Sequence, residues 1–239
     1  MEMMQKISCL VLLVFGLAQS SVLPVEKCTL TDKSCMITAV QKMVPVFTAG
    51  MPEIGVEVLD VMKMDDVKFE LSGLQFSLND GTLKGMKTAV IDDLNWDLKK
   101  KVFTIDFHVD AVVKGHYIAA GHLLILPING DGQLKLKLKN LKIKLVISYQ
   151  EVKNGEKDHF KLTKHSVDYK VIDNAHFNLS NLFNGNKELS EPMLKFMNEN
   201  WKQIAAEFGK PLVDSAANKL YQNIVVVFEK LPIGDIANV

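Results

Sequence analysis

The side chains that could do chemistry in this 239-residue chain are few and scattered. Six histidines stand at 108, 116, 122, 159, 165 and 176. His108, His116 and His122 share one strand parity, yet no acidic residue has ligand spacing beside them. Surface histidines are therefore expected rather than a zinc site. Asp65-Asp66 and Asp92-Asp93 are adjacent pairs, which strand alternation sends to opposite faces and away from shared acid–base work. No Gly-x-Ser-x-Gly elbow, phosphate loop, dinucleotide fingerprint or His-Glu-x-x-His occurs. An enzyme is disfavoured on these grounds, and no catalytic residue, metal or cofactor is expected. Cys28 and Cys35 form an even pair near the start of the mature chain, which reads as a structural disulfide contributing about 2 kcal/mol. A metal or redox pair is the alternative; it lacks a Cys-x-x-Cys spacing and a nearby histidine. Asn178-Leu179-Ser180 is an N-glycosylation sequon.

The ends and the composition set the compartment. Lys6, the apolar run Ile7 to Leu17 and the small-x-small site Ala18-Gln19-Ser20 read as a secretory signal peptide over residues 1–20. The run is too short to span a bilayer, which argues against a signal anchor. Residues 21–239 are expected to form one secreted, extracellular domain without stable membrane insertion. Lysine plus arginine equals aspartate plus glutamate at 28 each, so the formal charge is zero. That balance disfavours nucleic acid as a partner. Hydrophobic residues make up 48%, ample for a core.

The elements that must position any site are strands followed by a helix. A short apolar helix is expected over 36–48, broken by Pro45. Val67, Phe69 and Leu71 alternate, then Leu74, Phe76 and Leu78 continue after a parity shift at Ser72-Gly73, which suggests a bulge or bend. Asn79-Asp80-Gly81 and Asn129-Gly130-Asp131-Gly132 read as turns. Residues 86–98 form a strand with Leu94, Trp96 and Leu98 in alternation. Phe103 to Val113 keep a clean period of two, dry on one face and wet on the other. Leu134, Leu136 and Leu138 alternate with lysines, and the parity flips at Asn140. The lysine row reads as a solvated face in preference to an anionic-membrane patch. After the Asn154-Gly155 turn, a shorter strand pair covers about 158–173. From Ser190, a plausible N-cap, a long amphipathic helix carries a stripe from Met193 through Trp201, Phe208 and Leu220 to Phe228. A kink is expected at Gly209-Lys210-Pro211, and an end before Pro232. The expected class is α+β, a long curved antiparallel sheet wrapped around that helix.

Several segments carry a resemblance over the whole mature chain. They are the Cys28/Cys35 pair, Gly55-Val56-Glu57-Val58-Leu59-Asp60, and the apolar segment Tyr117 to Ile128. The most specific are Leu182-Phe183-Asn184-Gly185 and Asn198-Glu199-Asn200-Trp201. With these the chain resembles the insect takeout and juvenile hormone-binding protein family. The resemblance implies a TULIP-like super-roll enclosing an apolar cavity, and secretion and transport of a small lipophilic ligand. It also implies a setting in feeding, circadian, courtship or chemosensory physiology. No cysteine follows Cys35, which departs from hormone-binding members with a second disulfide and favours the takeout branch. Candidate ligand-binding residues are Phe69, Phe76, Trp96, Phe107, Tyr117, Tyr149, Trp201 and Phe208. Tyr117 and Tyr149 share the inward parity and could offer a hydroxyl to a ligand oxygen. Each of the eight has ordinary core packing as its alternative. A carrier is the reading adopted, with a receptor of unknown identity left open. An innate-immune protein binding bacterial lipid is the alternative, and it would want a basic tip. An esterase would need a nucleophile–base pair inside the cavity.

Overall fold

The structure, a computed structural model, describes residues 23–238. The signal peptide expected over residues 1–20 lies outside them. Strand β1 (Cys28–Thr29) leads into helix α1 (Lys33–Ala49), capped by the Asp32 carboxylate, which accepts from the Cys35 amide at 3.0 Å. The Cys28–Cys35 disulfide joins strand to helix across a Cα separation of 5.7 Å. Pro45 does not break α1, contrary to expectation. A proline removes only its own amide, and α1 is held from outside. The Gln41 side chain donates to the Ala89 carbonyl at 3.0 Å and accepts from the Ile91 amide at 2.8 Å, which docks the helix on a sheet edge.

The sheet follows: β2 (Met62–Lys63), β3 (Val67–Leu71), β4 (Leu74–Lys84), β5 (Val90–Asp97), β6 (Val102–Leu123), β7 (Leu126–Asn154) and β8 (Lys157–Leu179). All its pairings are antiparallel. Strand β6 is long enough to carry β4 and β5 end to end along one edge, with β7 and then β8 on the other. The 29 residues of β7 would reach about 96 Å if straight, against a radius of gyration of about 17 Å for a domain this size. The strands must curl. Bulges supply the bend. One lies at Asn140, whose φ of 52° and amide bond to the Asp110 carboxylate (2.8 Å) fix the parity flip read from the sequence. Others lie between Ile91 and Asp93, Asn79 and Thr82, and at Ser148/Tyr149.

Two glycine-bearing segments exchange their expected roles. Ser72-Gly73, with φ of 51° and 82°, is the two-residue hairpin tip between β3 and β4, whereas Asn79-Asp80-Gly81 is a bulge inside β4. Both central residues of such a tip need positive φ, which glycine supplies freely. Asn129–Gly132 is not a turn either. It lies within β7, and the reversal falls instead at Leu124-Ile125. Gly130 and Gly132 serve close approach: a Cβ at Gly130 would sit 2.4 Å from the Tyr117 hydroxyl, and one at Gly132 2.5 Å from the Ser180 carbonyl. The expected strand pair at 158–173 is the single 23-residue strand β8. The expected strand over 86–98 begins as a 3-10 turn at Met86–Thr88 before β5.

The C-terminal stripe is three helices end to end: α2 (Lys187–Glu199), α3 (Trp201–Phe208) and α4 (Lys210–Lys230). The break expected around Gly209–Pro211 is present, with Gly209 as the cap of α4. A second break at Asn200 was not expected. Its Nδ2 donates to the Phe196 carbonyl at 2.9 Å, closing the last turn of α2. The first helix starts three residues ahead of Ser190, which lies inside it. After Leu231-Pro232, α5 (Ile233–Ile236) leads to β9 (Ala237–Asn238), which pairs parallel with β1 and brings the two described ends together.

Candidate functional site

Helices α2 to α4 lie against the concave side of the sheet without filling it. Two apolar cavities lie beneath the sheet among the described residues. The first, about 130 Å³, is bounded by β4, β6, β7 and β8 on one side and by Met197, Ile204, Phe208, Leu212 and Leu220 on the other. The second, about 210 Å³, lies between α1, the β5–β6 corner and Leu220, Ile224 and Phe228 of α4. The expected helical stripe therefore lines both. Met86, Phe107, Leu145 and Leu220 border the two cavities in common and form a partition. Engineered apolar cavities of about 150 Å³ stay dry and admit benzene-sized guests, so each void here has room for part of an apolar molecule.

The eight candidate residues separate into three groups. Phe69, Phe76, Phe107 and Phe208 line the first cavity. Phe69 and Phe76 face each other across β3 and β4, ring centroids 5.3 Å apart. Trp96 lines the second cavity, together with Phe107. Tyr117, Tyr149 and Trp201 line neither. The Tyr117 hydroxyl donates to the Ser180 carbonyl at 2.8 Å and so closes β6 onto the start of the helical segment. Its burial pushes its pKa up to about 12. The Tyr149 hydroxyl accepts from Trp96 Nε1 at 2.7 Å, inside a cluster with Phe103, Phe160 and Phe228. Burial raises its pKa too, partly offset by that hydrogen bond. Trp201 is half-buried, with the Lys202 ammonium 5.5 Å from its ring centre.

Polar groups at the cavity walls are already engaged. In the first cavity Tyr169 turns its hydroxyl to the Ala205 carbonyl at 2.6 Å, in the space left by the absent side chain of Gly209. Tyr169 was not among the expected residues, although its alternation with Val167 and Val171 marks it as inward. In the second cavity Thr48 donates to the Val44 carbonyl at 2.8 Å. The rest of both walls is hydrocarbon, thioether or aromatic.

The outer face carries the charge. Lys135, Lys137, Lys139, Lys142 and Lys144 are all exposed, and Lys144 stands in cross-strand register between Asp106 and Asp168. Two histidines there each meet a single carboxylate, His108 with Asp92 at 2.8 Å and His116 with Asp131 at 2.7 Å. The bulge after Ile91 also cancels the alternation expected of Asp92 and Asp93, and both border one outer groove. A hydrogen bond from Lys33 holds the Asp93 carboxyl below its ordinary range. Among the described residues no three of His, Cys, Asp and Glu are grouped to hold a metal ion, and no helix is long and apolar enough to cross a membrane.

The quoted motifs now have physical work. Asn198 Oδ1 accepts from the Phe177 amide (2.7 Å) and its Nδ2 donates to the Phe177 carbonyl (3.0 Å), so it pairs with β8 as another strand residue would. Buried Asn223 accepts from the Glu57 amide at 2.7 Å, and Lys219 meets the Glu57 carboxylate at 2.7 Å, which fastens the Gly55–Asp60 segment to α4. The Asp60 carboxylate accepts from the amides of Gly85 and Lys87 at 3.1 Å each.

A curved antiparallel sheet folded on a helical rod around apolar voids is the architecture of an α+β, TULIP-like binding protein. The chain belongs to the family described as haemolymph juvenile hormone binding protein, which it matches over residues 9–238. It is similar to the crystal structure of Epiphyas postvittana Takeout 1, with 58% identity and a TM-score of 0.88, covering 90% of this chain and 100% of that one. The circadian clock-controlled protein daywake of Drosophila yakuba is 30% identical over 217 residues, 84% of this chain and 82% of that protein. A putative beta-carotene-binding protein of Schistocerca gregaria is 26% identical over 109 residues, 43% of this chain and 42% of that protein.

Proposed function

We propose that this protein is a secreted carrier of a neutral apolar ligand whose chain occupies an apolar cavity beneath the sheet. The observation that carries the reading is the chemistry of the walls. Their hydroxyls, on Tyr169 and Thr48, already donate to backbone carbonyls. An enclosed carboxylate would have no partner there, and burying an unpaired charge is prohibitive. A hydrocarbon or polyene segment needs none. Burying about 400 Å² of such a ligand would contribute roughly 10 kcal/mol gross. Association offsets several of these, which leaves micromolar to nanomolar affinity. Membership in a hormone-binding family and the likeness to a putative carotene-binding protein support the same class of ligand. The likeness to a clock-controlled protein supports a role under circadian control.

Native mass spectrometry of the secreted protein, followed by solvent extraction, tests the reading. A stoichiometric neutral lipid is the expected result. An empty protein that also fails to take up retinol or a fluorescent long-chain alcohol would sink it. Asn178 is exposed in β8 opposite Lys135, on the face away from the cavities. We expect a glycan there, read as a mass loss on enzymatic deglycosylation with ligand uptake unchanged.

A further inference from the structure

The reversal between β6 and β7 is built from the wrong residues for a solvent-exposed turn. Hairpin tips favour glycine, asparagine and aspartate because their central residues take positive φ. The neighbouring tip uses Ser72-Gly73, and the tip at the other end of β7 uses Gly155. Here the tip is Leu124-Ile125, flanked by Leu123, Leu126 and Pro127, with Leu124 at a φ of 56°. Ile125 is 83% exposed, the most exposed large hydrophobic side chain among the described residues. The tip sits within Gly115–Gly130, sixteen residues without a lysine, arginine, aspartate or glutamate. No longer run of that kind occurs between residues 23 and 238. The β3–β4 tip lies alongside, with the His122 amide donating to the Gly73 carbonyl at 3.0 Å and Leu71 39% exposed. Immediately beneath the tip, Leu74, Leu123 and Ile128 line the first cavity.

We infer that this double tip is a membrane-docking element that inserts into the headgroup–acyl boundary of a bilayer and brings the first cavity to the lipid surface for ligand exchange. A hairpin end with Ile125 83% exposed suits a fluid interface, whereas a protein partner would have to present a matching groove. The β6–β7 tip carries no charge, which removes the main desolvation penalty of inserting it, and exposed Glu70, behind the β3–β4 tip, limits how deep the second hairpin goes. An apolar tip contiguous with an apolar cavity wall also gives a lipophilic ligand a path that avoids water. For its purpose the inference rests on the carrier reading; insertion itself can be measured without any ligand.

The test places a single environment-sensitive fluorophore on Ile125→Cys in the secreted chain, where Cys28 and Cys35 are already joined, and on Glu156→Cys at the far hairpin. With phosphatidylcholine vesicles the label at 125 is expected to shift to the blue and be quenched by spin-labelled acyl chains, and the label at 156 to do neither. In the unlabelled protein, Ile125→Asp should lower vesicle binding by at least about tenfold while leaving the melting temperature unchanged, because an exposed tip contributes little to folding. The same variant should take up retinol from solution normally but acquire it from vesicles about tenfold more slowly. A label at 125 that stays aqueous, or a transfer rate indifferent to Ile125→Asp, overturns the proposal. So does a dimer, abolished by Ile125→Asp, that forms without vesicle insertion, since the tip would then serve a second copy. Insertion without uptake of any ligand would defeat the carrier reading and leave the docking element standing.

Discussion

Phe107 is the position at which the ligand reading becomes quantitative. Its ring stands on β6 between the two cavities and shares that partition with Met86, Leu145 and Leu220. Replacing it with alanine is expected to open a passage between the voids past Met86, Leu145 and Leu220. Phe→Ala in a packed core costs about 3–5 kcal/mol. Here the ring already borders empty space on two sides, so fewer contacts are lost, and the low end, about 3 kcal/mol, is expected. Against that loss, a linear ligand could extend from one void into the next. Four further methylenes buried at about 0.8 kcal/mol each give roughly 3 kcal/mol, or about two orders of magnitude in affinity. The assay is displacement of a fluorescent reporter by saturated alcohols of increasing length. In the native protein affinity should climb with length and then level off. In Phe107→Ala the levelling point should move to longer chains, and in Phe107→Leu to an intermediate length. Thermal unfolding with and without the longest alcohol checks that the variant is folded. A folded Phe107→Ala protein with an unchanged length profile would refute the two-cavity account of the ligand.

Three further perturbations test the frame around the cavities. The Tyr117 pKa is raised from 10 to about 12, so its contribution to stability is complete below pH 10 and is lost as pH rises from 10 through 12. The urea midpoint should fall across that window, and Tyr117→Phe, which also forfeits the bond to the Ser180 carbonyl, should flatten the dependence. Asn198→Ala leaves the amide and carbonyl of Phe177 without their partner and should destabilise by about 2–3 kcal/mol. Amide exchange at Phe177 should accelerate, whereas a role confined to the helix terminus would leave that amide protected. Replacing Cys28 and Cys35 together with serine should lower stability by about 2 kcal/mol, as loop closure over so short a span implies. Faster exchange at β1 and β9 with the large sheet unaffected is the expected pattern, and a global loss of protection would contradict it.

How much of this was legible in the sequence depends on the range of the signal. Alternation made the strands readable wherever one face is buried, as in Phe103 to Val113, because parity is fixed by burial. The parity flip at Asn140 was readable for the same reason, and it is a true bulge. Glycine was ambiguous. It permits both a positive φ and a close approach, and the local sequence does not say which is used. Ser72-Gly73 uses the first, whereas Gly130 makes room for the Tyr117 hydroxyl 2.4 Å from where a Cβ would lie. That contact spans thirteen residues of hairpin and could not be seen without the register. The hairpin tip at Leu124-Ile125 defeated the reading outright, because it lacks every residue type that marks a turn. Proline misled in the same local way: Pro45 sits in a helix held by a glutamine that reaches a sheet edge forty-eight and fifty residues away.

The candidate site shows the same division with a sharper cause. Parity told which aromatics point inward, and all the inward ones are buried or half-buried. It could not tell which of them border space and which are filled in. That distinction depends on the mismatch between two curved surfaces. The sheet's curvature is set by bulges at Asn140, Asp92 and Tyr149, and the path of the helical rod by its breaks at Asn200 and Gly209. Where a break coincides with a missing side chain, the sheet sends a group into the gap, as Tyr169 does at Gly209. Where no group follows, a void is left. Close packing is the rule in protein interiors and voids forfeit dispersion contacts. A fold that keeps two of them side by side, walled in hydrocarbon and with its hydroxyls turned away, has a core missing the part that a ligand would supply.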